Sequence, residues 1–112
     1  MFHNIKQLSI LCTSPTEYVE RLVATTMSYY ITDPVNQLVI NTLEYKIDKM
    51  SGRDTTVLVP WTAIDTVGVT DDMYAFDVTI DANPTDNIQI TIKVTDDENV
   101  EYYHKDSEVS VI

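Results

Sequence analysis

The chain has 112 residues, 44% of them hydrophobic, which fits one domain spanning residues 1–112 with a single core. Acidic residues outnumber basic ones by 18 to 7, and the net charge of −11 excludes the basic surface that nucleic-acid-binding domains need. The presence of only two glycines and one cysteine excludes a glycine-rich phosphate loop and an internal disulfide framework.

The sequence favours a cytoplasmic protein. Residues 1–8 lack the basic and then apolar segments of a secretory signal, and no apolar run is long enough to span a membrane. The single thiol, Cys12, fits a reducing compartment, where it would serve as a small buried hydrophobic side chain in a strand. We therefore expect a cytoplasmic location and no contact with a membrane.

The N-terminal third contains a strong local signal for a helix. A loose alternation over residues 5–12 first predicts a strand. Residues 14–17 (Ser-Pro-Thr-Glu) then have the form of a capping box, in which the serine and glutamate side chains each accept a backbone hydrogen bond. Side chains at helical spacing follow, at Val19, Leu22, Val23, Thr26, Met27 and Tyr30. These features predict an amphipathic helix over residues 15–31.

Residues 35–50 fit two templates. A helical template collects apolar side chains on one face, at Val35, Leu38, Val39, Leu43, Ile47 and Met50. A strand template fits the alternation of apolar and polar residues over 43–48 and the β-branched residues before it. The turn at residues 51–54 and the strand-like residues 55–59 decide between them, because a hairpin would give the segment a local partner. We therefore choose the strand.

Residues 73–95 contain the clearest strand pattern in the chain. Phe76, Val78 and Ile80 alternate with polar residues, and a second alternating run follows the turn cluster at 82–87. The apolar residues of that second run are Ile88, Ile90, Ile92 and Val94. Two such runs predict an antiparallel hairpin with one buried face and one exposed face.

The remaining segments complete the predicted fold. Residues 66–70 and 100–105 are expected to form two further strands, and the apolar C-terminal residues 109–112 are expected to be tied to the sheet. Together the elements predict an α+β fold. In it, one N-terminal amphipathic helix packs on a mostly antiparallel sheet of about five to seven strands.

Residues that usually carry catalysis or hold cofactors are sparse. His3 and His104 are the only histidines, and one cysteine with two distant histidines lacks the spacing of a zinc site. Residues 81–87 begin like a calcium loop, but the glycine position holds Asp86 and the final glutamate position holds Ile92. We therefore expect no catalytic residue, no metal and no cofactor, and interpret the chain as not being an enzyme.

Negative charge is concentrated in the C-terminal half, where residues 65–112 contain only Lys93 and Lys105 as basic residues. The predicted hairpin brings residue 73 close to residue 95, so carboxylates before and after it should meet at one end of the sheet. Two neighbouring tyrosines could act there as aromatic anchors. The predicted partner-binding residues are Asp71, Asp72, Asp96, Asp97, Glu98, Glu101, Tyr102 and Tyr103.

Such an acidic rim would attract a basic protein surface and repel nucleic acid. The main hypothesis is a non-enzymatic acidic binding protein, such as a phage or mobile-element inhibitor, that occupies a basic nucleic-acid-binding surface of a larger protein. It would mimic nucleic acid locally and bind none directly. The alternative is a virion-like structural or assembly subunit whose sheet edges pair between copies. A third explanation is that the charge only keeps a small protein soluble.

Overall fold

The computed structural model describes residues 9–14, 17–32, 39–67, 69, 71–106 and 108–112. This part of the chain contains strands and no helix, so the predicted α+β fold is wrong. The strands are β1 (Ser9–Ser14), β2 (Tyr18–Val19), β3 (Ala24–Thr32), β4 (Ile40–Ser51), β5 (Asp54–Ala63), β6 (Met73–Thr79), β7 (Asn87–Asp96), β8 (Glu101–Lys105) and β9 (Val109–Val111).

The strands form two sheets. Sheet A contains β1, β3 and β6 in that order, paired antiparallel. Sheet B has the order β2-β9-β7-β4-β5, and β8 also pairs with β7. Its pairings are antiparallel except for the parallel pair of β2 and β9. Strand β7 is therefore central in sheet B, with β4 on one side and both β8 and β9 on the other.

Buried side chains from both sheets form a shared hydrophobic core. Sheet A contributes Met27, Tyr29 and Ile31, every second residue of β3. Sheet B contributes the alternate residues of β7, which are Ile88, Ile90, Ile92 and Val94. The ring of Phe76 in β6 stacks on that of Tyr45 in β4 at 3.9 Å between centroids, and on that of Tyr29 at 6.1 Å. Stacked rings therefore join the two sheets.

The segment predicted as an amphipathic helix, residues 15–31, is extended in its described part. Strands β2 and β3 replace the helix, and Leu22 between them has a φ of 61°, which lies outside the helical region. Alternate side chains over residues 27–31 are buried, which is the period of a strand, whereas Leu22, Val23 and Tyr30 of the predicted helix face are exposed. The tyrosines of this stretch and the threonines at 25, 26 and 32 favour the strand. Residues 15 and 16, inside the predicted capping box, lie outside the described residues.

The two runs predicted over residues 73–95 are both strands, but they do not form a hairpin. Strand β6 pairs with β3 in sheet A, whereas β7 pairs with β4 in sheet B. The connection between them crosses from one sheet to the other, and in it the backbone N–H of Asn83 donates to the buried carboxylate of Asp86. Alternation predicts a buried face but not the neighbouring strand, because two facing sheets bury such faces equally well.

The other predicted hairpin is confirmed. Strands β4 and β5 pair antiparallel up to Ser51 and Asp54, and Gly52 in the turn has a φ of 60° that favours glycine. Strand β5 continues through Pro60, which fits because β4 is its only neighbour among the described strands. Residues 35–38 of the ambiguous segment lie outside the described residues.

The C-terminal predictions have mixed outcomes. The strand expected at 66–70 is not formed in its described residues, whereas the strand expected at 100–105 is confirmed as β8. The apolar tail is tied down as expected, since β9 pairs with β7 and β2 and the Ile112 N–H donates to the Val19 carbonyl. The described part of the chain has no helix that could cross a membrane.

Candidate functional site

The outer face of sheet B, which is turned away from sheet A, carries a cleft. Strand pairing places Lys46 of β4 beside Thr91 of β7, and Thr91 beside Lys105 of β8, in one row across the sheet. Trp61 of β5 and Tyr103 of β8 complete the lining. The volume is about 390 Å³, in the range of roughly 300–1,000 Å³ that ligand pockets occupy. These five residues define the outer cleft.

Strand alternation explains why these side chains share a face. The neighbours of Lys46 along β4, Tyr45 and Ile47, are buried in the core, and the neighbours of Thr91 along β7, Ile90 and Ile92, are buried there too. Successive side chains of a strand point to opposite faces, so the residues between them point outward. The core pattern and the strand register together build the outer cleft.

Two lysine side chains lie over the indole ring of Trp61. The Nζ of Lys93 lies 4.6 Å from the Trp61 ring centroid, and the Nζ of Lys46 lies 5.4 Å from it. Both distances are within the range of cation–π attraction. The ring of Tyr103 meets that of Trp61 at 63°, with 6.1 Å between centroids. The two rings therefore form an aromatic corner at the cleft.

Positive charge at the outer cleft contrasts with the rest of the molecule. Three of the seven basic residues in this acidic chain, Lys46, Lys93 and Lys105, lie in or beside it. Lys93 pairs with Glu44 at 3.2 Å, and Lys46 pairs with Asp48 at 3.6 Å. Lys105 has no ion pair with a described carboxylate, so its charge is the uncompensated one in the lining.

Thr91 supplies an unusual feature of the lining. The residue is only 5% exposed, and its Oγ1 has no hydrogen-bond partner among the described residues. A buried hydroxyl left in this state costs about 1–3 kcal/mol. Because Thr91 lines the cleft between Lys46 and Lys105, its hydroxyl can donate a hydrogen bond to a molecule bound there.

On the core side of β8, a hydrogen-bond network fixes the end of the strand that carries Lys105. The hydroxyl of Tyr29 donates to the carboxylate of Asp106, and Nε2 of His104 lies 2.7 Å from the other carboxylate oxygen. Tyr29 belongs to sheet A, whereas His104 and Asp106 flank Lys105 in the chain. The network therefore ties the position of Lys105 to the opposite sheet.

Tyr29 should make the protein less stable in alkali. Burial, followed by the hydrogen bond to Asp106 and its negative charge, raises the pKa of Tyr29 far above the ordinary value of 10.0. Above that pH the unfolded chain releases the phenolic proton while the folded chain keeps it, so the free energy of unfolding falls with rising pH. One group accounts for up to about 1.4 kcal/mol per pH unit.

Urea unfolding followed from about pH 9 to about pH 11 measures this dependence. We expect Tyr29→Phe to have a shallower decline than the unsubstituted chain. Tyr18→Phe is the matched control, because Tyr18 is 50% exposed, and it should leave the decline unchanged. Equal slopes for Tyr29→Phe and the unsubstituted chain would contradict the prediction.

The predicted acidic residues are divided between the two sheets. Asp71 and Asp72 form an exposed turn before β6, with φ values of 54° and 58°, whereas Asp96 ends β7. The pairing of β6 with β7 that was expected to bring these groups together is absent. Asp97, Glu98 and Glu101 are exposed near the end of β7 and the start of β8. The basic protein surface predicted as their partner stays a prediction.

Asp96 is not a surface residue. It is 0% exposed, and its Oδ1 accepts hydrogen bonds from the backbone N–H groups of Glu98 and Val100, each at 2.9 Å. Its Oδ2 accepts a hydrogen bond from the hydroxyl of Tyr102 at 3.1 Å. The carboxylate therefore holds the loop between β7 and β8 in shape.

The two predicted tyrosines point to opposite sides of β8. Tyr102 packs against the core, whereas Tyr103 is 60% exposed and lines the outer cleft. The hydroxyl of Tyr103 donates to Glu101, and this hydrogen bond raises the pKa of Tyr103. Sequence reasoning thus identified one cleft residue and missed the other four, which are Lys46, Trp61, Thr91 and Lys105.

Comparison with known proteins shows which solved structures have a similar all-β architecture. No protein-family model matches the sequence, and a search of curated proteins finds no significant match. Among solved structures, the chain is similar to the superoxide reductase (neelaredoxin) of Ignicoccus hospitalis, with a TM-score of 0.56 and 12% identity over 94% of this chain and 80% of that chain. A substituted variant of that reductase gives a TM-score of 0.55 and 9% identity over 93% and 80%.

These neighbours correct the predicted function. They are enzymes, so they contradict the interpretation of the chain as a non-enzymatic phage or mobile-element inhibitor, and they give no support to the virion-like assembly subunit. At 12% and 9% identity, the likeness shows a shared fold. The chemistry of this chain has to be argued from its own residues.

The described residues do not fit a metal-dependent reduction. Reducing superoxide requires an electron donor, and transition metals that serve this purpose are bound by histidine, cysteine and carboxylate side chains. The described ranges contain no group of three or more such residues that could hold a metal ion. Cys12 lies in sheet A, His104 lies in sheet B, and His3 is outside the described residues. We therefore derive no redox step for this chain.

Proposed function

We propose that this chain binds a small anionic ligand in the outer cleft. The observation that carries the proposal is the buried Thr91 hydroxyl, which lacks a described partner and lies between the strand positions of two lysines. An anion accepts hydrogen bonds from ammonium and hydroxyl groups. Hydrogen bonds in which a partner is charged are strong. A bound anion would satisfy Thr91 and give Lys105 the counter-charge that it lacks among the described residues.

The charge of the whole chain limits the size of the ligand. The cleft is locally basic, but the net charge of −11 repels an extended polyanion that reaches beyond it. A small anion can lie within the cleft, whose described lining contains Lys46 and Lys105 and no carboxylate. Nucleic acid is therefore not the proposed ligand. The proposal includes the cytoplasmic location that the single thiol favours.

Trp61 makes the proposal testable, because it is the only tryptophan in the chain and gives one indole N–H signal in a ¹⁵N-resolved NMR spectrum. We expect this signal to shift saturably during titration with acetate, inorganic phosphate or benzoate. Lys105→Gln should weaken the binding of these anions about 10-fold, since one charge-assisted contact contributes roughly 1.4 kcal/mol.

Lys49→Gln is the matched control, because it removes the same charge from β4 at a position that does not line the cleft. It should leave the titration curves within about twofold of the unsubstituted chain. If none of the three anions shifts the Trp61 signal, or if both variants weaken binding equally, the proposed function is overturned.

A further inference from the structure

Building on the proposed function, we infer that the ligand is a planar aromatic monoanion. Its carboxylate would accept hydrogen bonds from Thr91 and Lys105, and its ring would lie in the corner between Trp61 and Tyr103. Three independent features of the cleft carry this inference: its charge balance, the geometry of the two rings and the spacing of the donors.

The charges around the outer cleft favour a ligand with a single negative charge. Glu44 neutralises Lys93 at 3.2 Å, and Asp48 neutralises Lys46 at 3.6 Å. The ammonium group of Lys105 is left without an ion pair among the described residues. One anionic group on the ligand would give Lys105 the ion pair that it lacks among the described residues. A second would have no cation to itself and would lie near the carboxylates of Glu44 and Asp48, and near that of Glu101 beside Tyr103.

The aromatic corner favours a flat ring. Trp61 is 36% exposed and Tyr103 is 60% exposed, so both rings offer apolar area to a ligand. Their planes meet at 63° with 6.1 Å between centroids. Lysine ammonium groups lie over the Trp61 ring, so a flat ligand would lie face to face with the more exposed ring of Tyr103 and point its edge toward Trp61. Both arrangements are favourable for aromatic pairs.

The donors favour a carboxylate at one end of that ring. Thr91 and Lys105 are directly paired residues on adjacent strands, with side chains beginning about 5 Å apart on the same face. One carboxylate has two oxygens, so it can accept from the Thr91 hydroxyl through one and from the Lys105 ammonium through the other. Tyr103 lies two residues before Lys105 on the same face of β8, beside this position.

Isothermal titration with matched probes tests the ligand class. Benzoate is the planar aromatic monoanion, acetate lacks the ring, benzamide lacks the charge, and isophthalate carries a second charge. We expect benzoate to bind at least about 10-fold more tightly than acetate and benzamide, and more tightly than isophthalate. The shift of the Trp61 indole signal reports in each case whether the probe occupies the cleft.

The outcomes separate this inference from the proposed function. If acetate or isophthalate shifts the Trp61 signal and binds as tightly as benzoate, anion binding stands and the aromatic monoanion is overturned. If benzamide binds as tightly as benzoate, the ring is recognised without its charge, which also overturns the inference. If no anion shifts the Trp61 signal, both the inference and the proposed function fail.

Thr91→Val provides a second test, because valine has the same shape as threonine but lacks the hydroxyl. We expect benzoate to bind this variant about 10-fold more weakly, while the ligand-free variant melts at a higher temperature because no buried hydroxyl is left unpaired. Thr95→Val is the matched control on the same face of β7, outside the cleft, and should bind benzoate normally. Unchanged benzoate affinity in Thr91→Val would overturn the inference.

Discussion

Replacing Phe76 with alanine should lower the free energy of unfolding by about 3–4 kcal/mol. Phe76 belongs to sheet A, and its ring stacks on Tyr45 of sheet B at 3.9 Å and on Tyr29 at 6.1 Å. Truncating the ring removes its apolar contacts and leaves a cavity between the two sheets. The loss is large because both neighbouring rings are buried and lie in strands whose backbones are fixed by pairing.

Urea denaturation monitored by circular dichroism measures this loss. Phe76→Leu keeps much of the volume, so it should cost less than about 1.5 kcal/mol. Combining Phe76→Leu with Tyr45→Leu in a double-mutant cycle isolates the contact between the two rings, for which we expect a coupling of about 0.5–1.5 kcal/mol. An alanine variant as stable as the unsubstituted chain would contradict the stacking between sheets.

Replacing Asp96 with alanine should lower the free energy of unfolding by about 2–4 kcal/mol. The substitution removes the acceptor for two backbone N–H groups, those of Glu98 and Val100, and for the hydroxyl of Tyr102. The loop between β7 and β8 would then lose the carboxylate that holds it. Equilibrium unfolding in urea gives the size of this effect.

Two further variants define the role of Asp96. Asp97→Ala alters the neighbouring exposed carboxylate and should change stability by less than about 0.5 kcal/mol. Asp96→Asn keeps an oxygen that can accept from the two N–H groups, so it should recover much of what alanine loses. If Asp96→Ala and Asp97→Ala were equally stable, Asp96 would not be the structural residue that its hydrogen bonds indicate.

The positions of the strands were more predictable than the strands with which they pair. The alternation over 73–95 correctly indicates two strands with buried faces, and the turn around Gly52 correctly indicates the pairing of β4 with β5. A local pattern does not encode which distant strand lies alongside, however, and β6 and β7 pair in different sheets. The predicted helix was wrong because apolar residues are frequent enough over 19–31 to fit a helical face as well as an alternating one. Packing in sheet A selects the alternating set of Met27, Tyr29 and Ile31.

The outer cleft was less predictable than the fold. Its residues come from four strands, and only the register of β4, β7 and β8 reveals that Lys46, Thr91 and Lys105 form a row. The net negative charge led to a site predicted at the carboxylates. Three lysines, Lys46, Lys93 and Lys105, nevertheless lie together in or beside the outer cleft of this acidic chain. A usable signal was present in β4 and β7, where lysine and threonine occupy outward positions between buried apolar residues.

The central position of β7 also affects how the chain acquires its structure. Strand β4 can pair with β7 only after a long intervening segment has been brought into place, since Ile40 pairs with Asp96 and Met50 pairs with Asn87. Bringing such distant segments together costs chain entropy before burial compensates for it, which makes folding slow in proteins dominated by long-range strand pairing. Until β7 arrives, one edge of β4 is open to strands of other molecules, so assembly of sheet B competes with aggregation.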